Sequence, residues 1–345
     1  LEMVATRARL RLSKWTSGRT AMSSSRGAAP VNRRGGVGGV GGVGGVGGAS
    51  KLAESPGCYL QLMTLSSRSY KRLKRKPILL RLHFLVTLLF SLVVCLLWSD
   101  LSATSDFESL HNRMGCLFFM VSFFGFSSLS ALTTFLDERS MFVLERRNRL
   151  YSINIYVLVE ILFDIIPLRV LPPMLMGTIV YRPVGLRTDP DGTFPRFLLL
   201  MVLANTAFAS ASLFIGSLSS KPSVATFSGG LFMLLFLAFG GVFLSLRSIP
   251  EALAWAPYVT PSKFAYDGLV KNELCNVTFT IGTGTILPGL GELKASLRGD
   301  QVLDKMGFDV NRWSTIESDV AALVVVPCCY LVLTWLVVRW THVGG

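Results

Sequence analysis

Charge is what this chain has least of. Asp, Glu, Lys and Arg make up 16% of its 345 residues, hydrophobic residues make up 51%, and the mean hydropathy is +0.52. A soluble domain of this length needs far more charge on its surface, so the bulk of the chain is expected to lie in a membrane. Histidine is scarcer still: the three present are widely scattered and offer no catalytic constellation. The six cysteines (Cys58, Cys95, Cys116, Cys275, Cys328 and Cys329) include no CxxC pair and no His-rich spacing, which argues against a metal site. No GxxxxGK[ST] occurs, so the glycine-rich run near the start is no phosphate loop. Acidic residues are also few, 21 against 34 basic, for a net charge of +13. That excess sits in the early residues and in loops, which fits the positive cytosolic face of a membrane protein better than a nucleic-acid groove.

What is present falls into two parts. Residues 1–58 are basic and rich in Gly, Ser and Val, with Gly-Gly-Val units repeated up to Gly48. Such a tract buries too little apolar surface to offset the entropy of ordering, so disorder is expected; its Arg and Ser content also suits a targeting segment. Residues 59–341 form the expected membrane domain. Its first piece, Tyr59–Lys76, places Leu60, Met63, Leu65, Tyr70 and Leu73 at roughly helical spacing before a run of Lys and Arg. That pattern suits an amphipathic helix at the bilayer surface, and equally a basic flank that orients the next segment.

Six apolar stretches then follow, each long enough for a hydrocarbon layer of about 30 Å. They run approximately over 78–98, 116–136, 151–181, 197–218, 224–246 and 320–340. The third is longer than one crossing needs and carries Pro167, Pro172 and Pro173, so it is expected to bend. Gly229-Gly230 and Gly240-Gly241 in the fifth permit close helix contact. Between the second and third stretches lies a dense charged segment, 137–149. The flank before the first stretch, this segment and Lys221 carry the basic charge, whereas 99–115 holds Asp100, Asp106 and Glu108 against Arg113. By the positive-inside rule both termini are expected in the cytosol. The single Asn-X-Ser/Thr sequon, at Asn276, falls on the external side, in a long loop over 247–319, where glycosylation is expected to be open to it. That loop includes a helix-like run, Ser262–Leu274. Its aromatic residues suit a segment that dips into the interface or covers a pore mouth, and an ordinary folded loop is the plainer alternative.

Four motifs carry a resemblance. His111-Asn112-Arg113-Met114-Gly115-Cys116-Leu117-Phe118-Phe119 is similar to a QNRxGxLFF motif, and Glu138-Arg139 with Glu145 to an ER…E elbow. Asp164-Ile165-Ile166-Pro167 through Leu171-Pro172 is similar to a (D/E)xxP…P helix. Pro261-Ser262-Lys263-Phe264-Ala265-Tyr266-Asp267-Gly268-Leu269 with Asn272-Glu273 is similar to an NPxxYAxxAL..NE signature. Together, in this order, they resemble the transmembrane domain of subfamily G ABC half-transporters, the White and breast cancer resistance protein group, an ABC-2 type transporter domain.

The resemblance implies an all-α membrane fold of six transmembrane helices, with a cytosolic amphipathic connecting helix and a long external loop before the last. It further implies a homo- or heterodimer of half-transporters in membrane lipid, exporting lipophilic compounds (lipids, sterols or xenobiotics). The plasma membrane is the expected home and an organelle membrane the alternative. ATP and Mg are expected on a nucleotide-binding domain, in cis or in trans. These residues hold no Walker A, Walker B or signature motif, so the chain is not expected to hydrolyse ATP alone. The rival reading is a non-transporting half that dimerises with complete family members and regulates them.

The resemblance also assigns residues. The substrate cavity would be lined by Ser122, Phe123, Phe126, Gly230, Leu234 and Leu237, with Phe126 stacking on a flat ligand; phenylalanines at helical spacing are also what simple packing produces. The family position at Phe123 carries a polar amide in a drug exporter, so a more uniformly apolar ligand is expected here. Val242 and Phe243 would form a gate, and Arg169 would influence substrate choice or else pair with Asp164. Glu138, Arg139 and Glu145 would couple the membrane part to the nucleotide-binding domain. Cys275, the lone external cysteine, would be a candidate for an intersubunit disulfide.

Overall fold

The computed structural model describes residues 58–75, 77–99, 107–137, 154–155, 158–159, 165–188, 192–219, 221–241, 249–275, 278–283, 293–305 and 316–343. The described part opens with α1 (Cys58–Arg75) and α2 (Pro77–Leu97), followed by α3 (Phe107–Ser127), whose helical course resumes after Ser128 and runs to Asp137. A π-helical turn, Ile165–Val170, leads into α4 (Leu171–Val180). Next come α5 (Thr193–Leu218), α6 (Pro222–Ala238), the short α7 (Ala256–Val259) and α8 (Pro261–Leu274). An antiparallel hairpin of β1 (Thr278–Thr283) and β2 (Leu293–Arg298) precedes α9 (Gly299–Lys305) and α10 (Ile316–Val343).

Among the described residues four segments are long and apolar enough to cross a bilayer: Leu80–Leu97, Ser109–Asp137, Thr193–Leu218 and Ile316–Trp340. The protein is thus an integral membrane protein built from helices. The expected third and fifth crossings occur as shorter apolar helices, Pro167–Val180 and Pro222–Ala238. The hairpin is the departure from an all-α fold, with Thr278 paired to Arg298 and Thr283 to Leu293. It lies in the polar 247–319 loop, where the alternating Thr278-Phe279-Thr280-Ile281 favours a strand. The helix of the second long apolar segment, α3 with its continuation to Asp137 (the second helix), begins at Phe107, well before its apolar run, so Arg113 is helical rather than part of a loop.

The centre of the bundle is α5. Its small residues Ala204, Ala207, Ala211 and Ser212 are buried, Ser212 Oγ lies 3.0 Å from Ser128 Oγ of the second helix, and α10 and α8 both pack on α5. α8 packs on α5, α10, α3 and α6 at once, while α2 lies on α4. α6 buries the stripe Ala225, Gly229, Met233 and Phe236 at helical spacing. At Gly229 a Cβ would stand 2.9 Å from Leu132 Cδ1 and 3.0 Å from Leu129 Cδ2, so glycine is what permits this approach to the second helix. α1 is a helix, as expected, but it buries Gln61, Leu65 and Ser69, with Leu65 packed on Ile155 and Val159. Leu60, Met63 and Tyr70 stay exposed on its other faces, the arrangement expected of a helix resting in a lipid interface.

Candidate functional site

Among the described residues, polar and aromatic features that bear on function gather in three places. The first lies under α8. Pro261 opens this helix at a position where a missing N–H costs nothing, and almost every residue that follows is buried, including Lys263, Asp267, Lys271 and Glu273. Charges this deep must be paired. Glu273 accepts from the Arg113 guanidinium at the start of the second helix, and its two carboxylate oxygens lie 3.0 and 3.1 Å from the Arg187 backbone N–H. The Arg187 side chain donates to the Cys275 carbonyl. Burial pushes the Glu273 carboxyl above its ordinary range, against the opposing pull of Arg113 and the Arg187 N–H. Lys271 Nζ donates to Asp319 Oδ2 of α10 at 2.8 Å, with both side chains buried.

Neutral groups complete the fastening. Asn272 donates to the Thr193 carbonyl at 3.1 Å, Tyr181 donates to the Arg187 carbonyl, and Ser262 donates to the Phe236 carbonyl of α6. Lys263 Nζ lies 3.9 Å from the centre of the Tyr258 ring. Burial, then the neighbouring Asp267, push the Tyr266 phenol up from its ordinary value. The result is a short helix locked by ion pairs to the second helix and α10 and by neutral hydrogen bonds to α5 and α6.

The second place is the face shared by the second helix and α6. Phe126 is 44% exposed and Leu234 58%, and a Cβ on Gly230 would meet nothing within 4 Å. Phe227 and Leu231 continue this open apolar face at helical spacing. The other residues named for the cavity sit differently. Phe123 is half-buried and stacks on Phe90 of α2, with ring centres 4.0 Å apart and planes 19° from parallel. Ser122 returns its hydroxyl to the Phe118 carbonyl one turn back, and Leu237 is buried. Phe126 on the second helix and Gly230 and Leu234 on α6 are therefore open, while Phe123 stacks on Phe90 and Leu237 is buried.

Arg169 is fully buried in the π-helical turn. Its Nη2 donates to Ser130 Oγ at 3.3 Å, and Ser130 Oγ lies 2.8 Å from His83 Nε2 of α2. Sequence reasoning misses His83 and Ser130 because a lone His or Ser in an apolar run carries no sign of its partner. It misses the match of Lys271 with Asp319 for the same reason, the two being 48 residues apart. Cys275 is half-buried at the end of α8. Glu138, Arg139, Glu145, Val242, Phe243 and Asn276 lie outside the described residues. Among the described residues no cluster of His, Cys, Asp or Glu is arranged to hold a metal ion.

Comparison with known proteins places this architecture. The family model described as ABC-2 type transporter matches residues 60–274. A protein of Saccharomyces cerevisiae named "Probable ATP-dependent permease" is 30% identical over 288 residues, which span 83% of this chain and 26% of that protein. ABC transporter G family member 24 of Dictyostelium discoideum is 29% identical over 282 residues, 82% of this chain and 23% of its own length. The "Broad substrate specificity ATP-binding cassette transporter ABCG2" of Bos taurus is 28% identical over 261 residues, 76% of this chain and 39% of its own. The chain thus spans well under half the length of these relatives.

Proposed function

The chain belongs to the ABC-2 type transporter family as a subfamily G ABC transmembrane domain, and from that premise we propose that it forms the membrane path of an ATP-driven exporter of lipophilic compounds. In this reading two such domains, identical or not, meet across the open face of the second helix and α6, with residues 59–341 as the membrane unit. The observation that carries it is the set Phe126, Gly230 and Leu234: an exposed aromatic ring on the second helix, and a gap and an exposed leucine on α6. Doubled across a symmetry axis, these make an apolar slot for a flat, greasy molecule, which loses no hydrogen bonds on leaving lipid. Phe123, stacked on Phe90, forms the wall behind it rather than a ligand contact.

The remaining assignments follow from this reading. The domain crosses six times with both termini in the cytosol, most naturally at the plasma membrane. Glu138, Arg139 and Glu145 pass the movement of a nucleotide-binding domain, which holds ATP and Mg and is not within these 345 residues, to the second and third helices. Val242 and Phe243 close the path by excluding water, and α8, fastened by its ion pairs, roofs it. On the outer side Asn276 accepts a glycan and Cys275 bonds its counterpart in the second subunit.

The experiment is ATP-dependent uptake of a sterol, a phospholipid and a lipophilic dye into inside-out vesicles bearing the full-length protein. Wild-type uptake of at least one, reduced by Phe126→Ala, is the expected result. Unchanged uptake in that variant removes Phe126 from the path. No uptake of any of them would favour the non-transporting, regulatory half.

A further inference from the structure

The two adjacent prolines of the third apolar stretch create a need that a neighbouring helix meets. Pro172 and Pro173 have no backbone N–H, so the carbonyls of Leu168 and Arg169, four residues earlier, find no helical donor at those positions. Both residues are buried, at 7% and 0% exposure, within a bundle where water is scarce and an unmet carbonyl is costly. Asn205 on α5 supplies the donor. Its Nδ2 lies 3.3 Å from the Leu168 carbonyl oxygen and 3.1 Å from that of Arg169. The side chain is 1% exposed and its Oδ1 accepts no hydrogen bond. An amide kept in such a place at the cost of an unmet acceptor is there for its two N–H groups.

The two carbonyls lie in the Ile165–Val170 π-helical turn, just before α4 begins, so the irregular turn and its clasp coincide. Arg169 supplies one of those carbonyls, and its guanidinium is the group that reaches Ser130 and through it approaches His83. We propose that Asn205 is a positioning residue that clasps the proline bend and so sets where Arg169 stands. Arg169, fully buried, then acts on the path through the helix it is anchored in and not by touching substrate. Only this last consequence rests on the transport reading; the clasp does not.

The test uses full-length protein purified in detergent and needs no substrate. Asn205→Leu removes both donors at nearly constant volume and is expected to lower the melting temperature by roughly 5 °C. Deuterium uptake should rise in peptides covering 165–180 and not in those from α10. Pro172→Ala with Pro173→Ala restores main-chain donors, and in that background Asn205→Leu should cost roughly half as much or less. Equal losses in both backgrounds, no loss in either, or a rise in exchange spread over all helices would overturn the proposal. If Asn205→Leu alone does not accumulate, recovery of folded protein on adding the two proline replacements supports the clasp, and no recovery overturns it. Transport enters neither readout, so a failed transport assay leaves this result standing.

Discussion

Arg113 and Glu273, separated by 160 residues in sequence, form an ion pair, half-buried at the arginine and buried at the glutamate, that ties the start of the second helix to the end of α8. Both belong to motifs that carry the family resemblance, and the fold shows one physical reason for their presence: each neutralises the other. Glu273 also accepts from the Arg187 backbone, so the pair gathers three parts of the chain at one point.

Breaking this pair leaves a buried charge alone. Arg113→Ala is expected to destabilise the protein by about 3 kcal/mol, the scale for removing one partner of a buried pair. The charge-swapped double variant, Arg113→Glu with Glu273→Arg, should recover only part of that loss, because an arginine at 273 cannot accept from the Arg187 N–H. Thermal unfolding in detergent of the single and double variants checks both statements; full recovery would mean that the Arg187 contact contributes nothing.

Lys271 and Asp319 should behave differently. Lys271 Nζ stands 2.8 Å from Asp319 Oδ2, and replacing both by apolar residues removes the desolvation cost along with the attraction. Lys271→Met alone is expected to destabilise by about 3 kcal/mol, while Lys271→Met with Asp319→Leu should lie within about 1 kcal/mol of wild type. Melting curves for the two variants decide it, and a double variant as unstable as the single one would contradict the account.

Gly268 faces α5 at close range. A Cβ there would stand 2.8 Å from Leu200 Cδ2 and 3.4 Å from Asp319 Cβ, and Leu200 is fully buried with nowhere to go. Gly268→Ala should therefore destabilise by about 1–3 kcal/mol despite the better helix propensity of alanine. In a Leu200→Ala background the clash is gone, so Gly268→Ala should cost little beyond Leu200→Ala alone, which the melting temperatures of the single and double variants would report.

Two phenylalanines three residues apart offer a contrast. Phe123 stacks on Phe90, so Phe123→Ala should cost about 3 kcal/mol of stability. Phe126 is open, so Phe126→Ala should leave the unfolding of the separated subunit within about 1 kcal/mol of wild type and instead lower vesicle uptake. Measuring stability and uptake on both variants separates packing from path; similar stability losses for both would place Phe126 in the core as well.

Much of this protein is legible in its amino-acid order. Apolar runs locate α2, the second helix, α5 and α10, because a hydrocarbon layer demands long local stretches and nothing from elsewhere in the chain. The paired prolines announce a bend in the third stretch, and a π-helical turn is found beside it. The run Ser262–Leu274 reads as a helix, although nothing in its composition foretells that its charges are buried. Motif order picks out Arg113 and Glu273 without hinting that they touch. The cavity candidates on the second helix share one helical face, yet Phe123 and Phe126 part company, since α2 covers the first and not the second.

The sequence by itself determined that this chain lives in a membrane, where its long helices lie and which family it resembles. All of these depend on local composition and short motifs, which chain order preserves. Tertiary structure alone decided that Arg113 answers Glu273, that Lys271 answers Asp319 and that Asn205 answers two carbonyls orphaned by proline. Helical periodicity says which side of a helix a polar group occupies. Its partner depends on which helix comes to lie against that side, and that choice is made by the packing of the whole bundle.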